Sequence, residues 1–128
     1  MLTRYRLVIV SLLLAAGAVH AAPSDSLMII ASPDSTQTTT TGSTTYYTRL
    51  LKVSLANVGQ QPVNLAKGCF KAYDRRGTAY ALDIVDEALV KGSLTPGKRK
   101  KGDMGFSSLQ SEVYDADVVR FSTDCAAK

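Results

Sequence analysis

Histidine is almost missing. The chain has one, His20, near its N-terminus, inside a segment that reads as a removable leader. Without it no Ser-His-Asp or Cys-His nucleophile system can be assembled, and the commonest zinc and copper ligand is gone. Tryptophan is absent altogether, a departure from the buried Trp–disulfide pairing of antibody domains. There is no G-x-S-x-G, P-loop, dinucleotide-binding fingerprint or C-x-x-C. The general bases left are Asp, Glu, Lys and Tyr. They serve glycosidase or Ser-Lys chemistry only when placed convergently and away from water. A surplus of one charge is also lacking. Fifteen basic residues less Arg4 and Arg6 leave 13 against 11 acidic, without the positive field of a nucleic-acid binder. The expectation is a non-enzyme with no cofactor, no metal and no nucleic-acid partner.

What is present first is an address. Arg4 and Arg6 precede an almost unbroken apolar run, Leu7 to Ala18, followed by Val19-His20-Ala21. A basic, then apolar, then small-residue order is that of a secretory signal peptide over residues 1–21. The apolar run is too short for a spanning helix, so no membrane span is expected. The mature domain would begin at Ala22 and run to Lys128, with about a hundred residues, enough for one core. Its location would be periplasmic or secreted. In such a compartment the two cysteines, Cys69 and Cys125, read as a disulfide closing a long loop. They lack the close spacing and basic neighbours of a reactive pair.

Strand signals dominate the rest. Leu51, Val53 and Leu55 alternate with Lys52, Ser54 and Ala56 over Tyr46–Asn57, a period of two. Phe70 and Ala72, Tyr80 and Leu82, Met104 and Phe106, and Val119 and Phe121 give inward positions in later strands. Asp74-Arg75-Arg76-Gly77 and Leu94-Thr95-Pro96-Gly97 are turns, since Gly supplies the backbone that they need. Leu27 to Ala31 is a short strand stopped at Ser32-Pro33-Asp34. Ser35 to Thr45, nearly all Thr and Ser, has no apolar side and reads as an exposed loop or edge ribbon. Short strands about ten residues apart, with Gly and Pro turns, predict an all-β protein. The architecture expected is an immunoglobulin-like antiparallel β-sandwich, preceded by a cleaved signal peptide.

The runs Leu51-Lys52-Val53-Ser54-Leu55-Ala56-Asn57 and Gly68-Cys69-Phe70-Lys71-Ala72-Tyr73-Asp74 resemble a family of small exported bacterial domains of unknown function. So do Lys91-Gly92-Ser93-Leu94-Thr95-Pro96-Gly97-Lys98 and Arg120-Phe121-Ser122-Thr123-Asp124-Cys125. The similarity covers about Tyr46 to Cys125. It implies an immunoglobulin-type sandwich with two cysteines, and no catalytic residue comes with it.

Three surface features are candidates for function. Tyr46 and Tyr47, beside Thr38 and Thr40 of the Thr-rich stretch, form a possible binding surface, since loops held by a rigid sandwich commonly carry recognition. Lys98, Arg99, Lys100 and Lys101 form a possible anion patch. Alternation along a strand would split them between faces, and a solubilising edge is the competing reading. Asp83, Asp86 and Glu87, with Asp115 and Asp117, lack the ligand pattern of a calcium loop and read as turn residues. Met28 and Met104 read as core gap-fillers. Together these point to an exported non-enzymatic binding or accessory module whose partner is a protein or glycan of the cell envelope. The alternative is a periplasmic enzyme inhibitor or a carboxylate-dependent hydrolase.

Overall fold

A computed structural model describes residues 23–125. The expected signal peptide lies outside the described residues. A single turn, α1 (Pro23–Ser26), leads into β1 (Leu27–Thr41) and β2 (Thr44–Asn57). Then follow β3 (Val63–Asn64), β4 (Cys69–Tyr73), β5 (Ala79–Val85), β6 (Ser93–Leu94), β7 (Arg99–Ser108) and β8 (Val118–Ser122). Three 3₁₀ turns, Leu65–Lys67, Glu87–Leu89 and Ser111–Asp115, fill the connections. No described helix is long and apolar enough to cross a membrane.

The expected all-β class holds. Six strands form one sheet in the order β1-β2-β7-β5-β4-β8, and β3 pairs with β6 in a second, small sheet. Every pairing is antiparallel. The outer strands β1 and β8 contact each other, so the large sheet curls on itself. Its inner face carries the residues that the alternation marked. Leu51, Leu55, Met104 and Phe106 are completely buried, with Val53, Phe70, Val119 and Phe121 nearly so. Val63, Leu65, Leu89 and Leu94, from the small sheet and two 3₁₀ turns, close the same core. Each large side chain taken out of water this way stabilises the fold by about 1.5–3 kcal/mol. Asn57, buried at the end of β2, ties the parts together. Its Nδ2 donates to the Gln61 and Leu94 carbonyls at 2.7 and 2.8 Å, and its Oδ1 accepts from the Gly59 amide at 2.9 Å.

Ser35 to Thr45 takes the edge-ribbon form of the two expected, not the loop. β1 continues through it and pairs with β2 up to Thr41 opposite Thr44, leaving only Gly42-Ser43 as the turn. The residues of β1 from Ser32 to Thr41 are exposed, as expected. Exposure did not prevent strand formation because threonine, branched at Cβ, suits an extended backbone even without an apolar face. Ser32-Pro33-Asp34 does not end the strand either. The register shifts between Pro33 and Ser35, a bulge with Asp34 as the extra residue. An edge strand tolerates the missing proline N–H. Met104 fills the core, but Met28 is on the surface at 41 % exposure, since it lies on the outward side of β1 opposite Ala56.

Candidate binding trough on the outer sheet face

Alternation that buries one set of side chains turns the next set outward. Across the large sheet the registers align Gln37, Thr48, Ser107, Ala81, Lys71 and Arg120 in one transverse row, a residue from each strand. At strand spacings of about 4.8 Å the row runs roughly 24 Å from β1 to β8. Its centre is low because the residues there are small. Gly105, one row away, is buried, and a Cβ there would meet Leu50 and Ile84.

The wider part of this trough has a volume of about 490 Å³ and is lined by Tyr46, Ala81, Asp83, Ser107, Ser108 and Leu109. Tyr46 and Leu109 are 45 % and 63 % exposed, large apolar surfaces at its rim. Between them runs a hydrogen-bonded chain. The Thr48 and Ser107 hydroxyls lie 2.7 Å apart, and the Ser107 Oγ donates to Asp83 Oδ2 at 2.8 Å. Asp83 faces the trough by the same alternation that turns Ala81 outward, and the register of β5 against β7 shifts beside it, between Leu82 and Ile84. One carboxylate, two hydroxyls and an exposed aromatic ring suit a ligand rich in hydroxyl groups.

The trough continues toward β8. A recess of about 260 Å³ shares Ala81 and Leu82 with it and is lined besides by Cys69, Lys71, Phe70 and Val90. A cleft of about 250 Å³ shares Cys69 and Lys71 with that recess and is lined further by Tyr73, Ala79, Arg120, Ser122 and Asp124. Lys71 and Arg120 are directly opposite each other on β4 and β8. The Arg120 guanidinium stands 5.4 Å from the centre of the Tyr73 ring, which holds it over the aromatic face.

Of the expected recognition residues, Tyr46 alone lines this trough. Tyr47, Thr38 and Thr40 point to the other side of the ribbon. Thr38 is paired with Tyr47, and its Oγ1 lies 2.5 Å from the Tyr114 hydroxyl. The Tyr47 and Tyr114 rings meet edge-on at 5.7 Å, and Thr40 bonds to Thr45 across the hairpin. Thr38 and Tyr47 therefore secure the ribbon to the Ser111–Asp115 turn, and Thr40 joins the ribbon's own two strands. Lys98 to Lys101 also divide. Arg99 and Lys101 face outward, whereas Lys100 turns to the other face and donates through Nζ to the Ala88 and Lys91 carbonyls at 2.9 and 3.0 Å. β7 is an interior strand, but the described part of this run pairs only with β2.

Cys69 and Cys125 are free thiols, so the expected disulfide is not formed in this structure. They are nonetheless neighbours. Cys69 is opposite Ser122, the chain turns after Ser122, and both Sγ atoms donate to the Ser122 carbonyl at 3.6 Å. Burial, then the hydrogen bond to Cys125 and its charge, push the Cys69 thiol up to about 11, with Lys71 pulling the other way. That keeps the sulfur protonated and unreactive at neutral pH.

Asp86, Glu87 and Asp117 serve local structure, through backbone or ion pairs. Asp86 Oδ2 accepts from the Asp103 amide at 2.7 Å, Glu87 pairs with Lys91, and Asp117 pairs with Arg49 at 2.8 Å. Among the described residues no group of three or more His, Cys, Asp or Glu could hold a metal ion. Sequence reasoning missed Ser107, Ser108, Leu109, Lys71 and Arg120 as site residues. The one signal available for the trough was Asp83, an acid at an outward position of an alternating strand.

An antiparallel all-β domain with a recessed outer sheet face is the class that fold and site define. The chain belongs to the family described as Domain of unknown function (DUF4354), which it matches over residues 1–123. The match bears out the expectation of a family of unknown function. No curated protein matches the chain. It is similar to a solved ApaG protein from Pseudomonas aeruginosa, at 33 % identity and a TM-score of 0.74, covering 79 % of this chain and 98 % of that one.

Proposed function

We propose that the chain is an exported, non-enzymatic binding module that takes a glycan of the cell envelope on its outer sheet face. The observation that carries this reading is the Ser107–Asp83 hydrogen bond lining a trough, backed by the buried Thr48 hydroxyl and flanked by the exposed Tyr46 ring. Sugars present donor hydroxyls to a carboxylate and an apolar ring face to an aromatic side chain, so the chemistry of the lining matches both. Asp83 is the one carboxylate among the described residues lining the wider part of the trough. Carboxylate hydrolysis needs a second one across the scissile bond, which favours binding over turnover.

The signal-peptide pattern of residues 1–21 supports export to the periplasm or beyond. In that compartment Cys69 and Cys125, already sharing one carbonyl acceptor, would close into a structural disulfide. The curled sheet, capped by β3 and β6, supports the immunoglobulin-like description, a frame that commonly presents binding surfaces. The test is titration calorimetry of the mature protein, residues 22–128, against purified envelope polysaccharides. Saturable binding that Tyr46→Ala and Asp83→Ala each weaken, with the polysaccharide recovered uncleaved, is the expected result. Cleavage, or binding indifferent to both substitutions, would overturn it.

A further inference from the structure

From the far end of the trough we infer that the glycan is acidic, an oligosaccharide chain laid across the strands with a carboxylate or similar anion held between Lys71 and Arg120. This rests on the trough being a glycan site. Its own evidence is a different one. Like charges directly opposite in an antiparallel pair are destabilising, yet Lys71 and Arg120 occupy such a pair on β4 and β8. They do so at a cleft of about 250 Å³ rather than on an open surface. The flanking β5 positions are Ala79 and Ala81, opposite Tyr73 and Lys71. Small side chains there leave room above the sheet, and Tyr73 fixes the guanidinium at 5.4 Å from its ring centre.

Asp124 also lines the cleft, so the local excess is one positive charge. That matches a single anionic group better than a run of them. A planar guanidinium prefers a carboxylate or phosphate in bidentate geometry.

Continuity decides the shape of the ligand. Ala81 lines the wider part of the trough, pairs with Ser107 on one side and Lys71 on the other, and lines the neighbouring recess. Ser107 and Lys71 are two strands apart, about 9.6 Å, a span that one pyranose ring does not cover. An oligomer with hydroxyls at Asp83 and Ser107 and an acidic unit two strands away fits both ends.

The experiment is calorimetric titration of the mature protein with short oligogalacturonate and with the same oligomer fully methyl-esterified, which keeps the chain and removes the charge. The acid form is expected to bind about tenfold more tightly, the worth of one charge-assisted contact. The Lys71→Gln/Arg120→Gln double variant should lose that preference and bind acid and ester alike. Tyr46→Ala should weaken both forms alike. Equal binding of acid and ester by the wild-type protein would overturn the anionic end and leave the glycan trough standing. Binding of neither form, with both proteins folded by circular dichroism, would overturn both readings. Poly-glutamate bound as tightly as oligogalacturonate and indifferent to Tyr46→Ala would show that the cations serve an acidic peptide, and would overturn the proposal.

Discussion

The Tyr80 hydroxyl donates to Asp74 Oδ2 at 2.8 Å in the buried corner where β4 hands over to β5. Asp74 Oδ1 accepts from the Arg76 and Thr78 amides at 2.9 and 3.0 Å, so one side chain organises the whole hairpin turn. Burial pushes its carboxyl up, but the Tyr80 hydroxyl, the two amides and the Arg76 guanidinium outweigh that and hold it below the usual value. Tyr80 moves the other way, with burial first and its bond to Asp74 second pushing it up to about 12.

Both limbs of the pH–stability profile follow. Asp74 binds its proton less readily when folded, so its contribution is present above the ordinary carboxyl range and is lost as pH falls through its lowered folded value. Asp74→Asn should flatten the acid limb of a thermal-melt series. Tyr80 keeps its proton longer when folded. Its contribution is complete below about 10, the ordinary tyrosine value, and disappears as pH rises through about 12. Tyr80→Phe should remove that alkaline loss. At pH 7 it should lower the melting temperature by roughly 4–8 °C, the effect of one lost hydrogen bond in a domain of this size.

Gly68 precedes β4 with no space for a side chain. A Cβ there would overlap the Phe121 ring, which packs against Phe70 at 5.1 Å. Gly68→Ala should cost about 1–3 kcal/mol through forced repacking, measured by urea unfolding. Gly77 has open space around it but a φ of 83°. Gly77→Ala should cost about 1 kcal/mol from backbone strain alone.

Lys100 and its neighbours should behave differently. Lys100→Met removes the donor to the Ala88 and Lys91 carbonyls. Hydrogen exchange should quicken at the Leu89 and Val90 amides, which close the adjacent 3₁₀ turn. Arg99→Glu with Lys101→Glu should leave that protection unchanged, because both side chains point away from the turn.

For protein recovered from an oxidising compartment, non-reducing peptide mapping should find Cys69 joined to Cys125. The closed loop of roughly 55 residues gives about 4 kcal/mol of stabilisation in the chain-entropy model. A reducing agent should lower the urea midpoint accordingly, and Cys125→Ser should make the protein indifferent to it. Two free thiols in such protein would refute the bond.

The inner face was legible residue by residue, because Leu51, Val53 and Leu55 announce their direction through a local period that needs no partner. The ribbon beyond Ser35 was legible as exposed, but the sequence left loop and edge ribbon undecided. Its pairing with β2 is a non-local fact, and threonine satisfies both descriptions. The trough was hidden for the same reason. Ser107, Ala81 and Lys71 are unremarkable in sequence and become neighbours only through registers linking β7, β5 and β4. The two cysteines show both effects. Cys69 follows the outward phase of Lys71, and only the turn after Ser122 brings Cys125 to it.

The register that sets Phe106 inward sets Ser107 outward, and that which hides Phe70 and Phe121 exposes Lys71 and Arg120. A slip of one residue between β7 and β2 would empty the core and erase the row together. The proposed recognition face is therefore proofread by folding itself. Any molecule that has completed its interior carries the six-residue row in register, and a misaligned one is unstable. Outward side chains can then vary one at a time, while the frame that spaces them stays fixed.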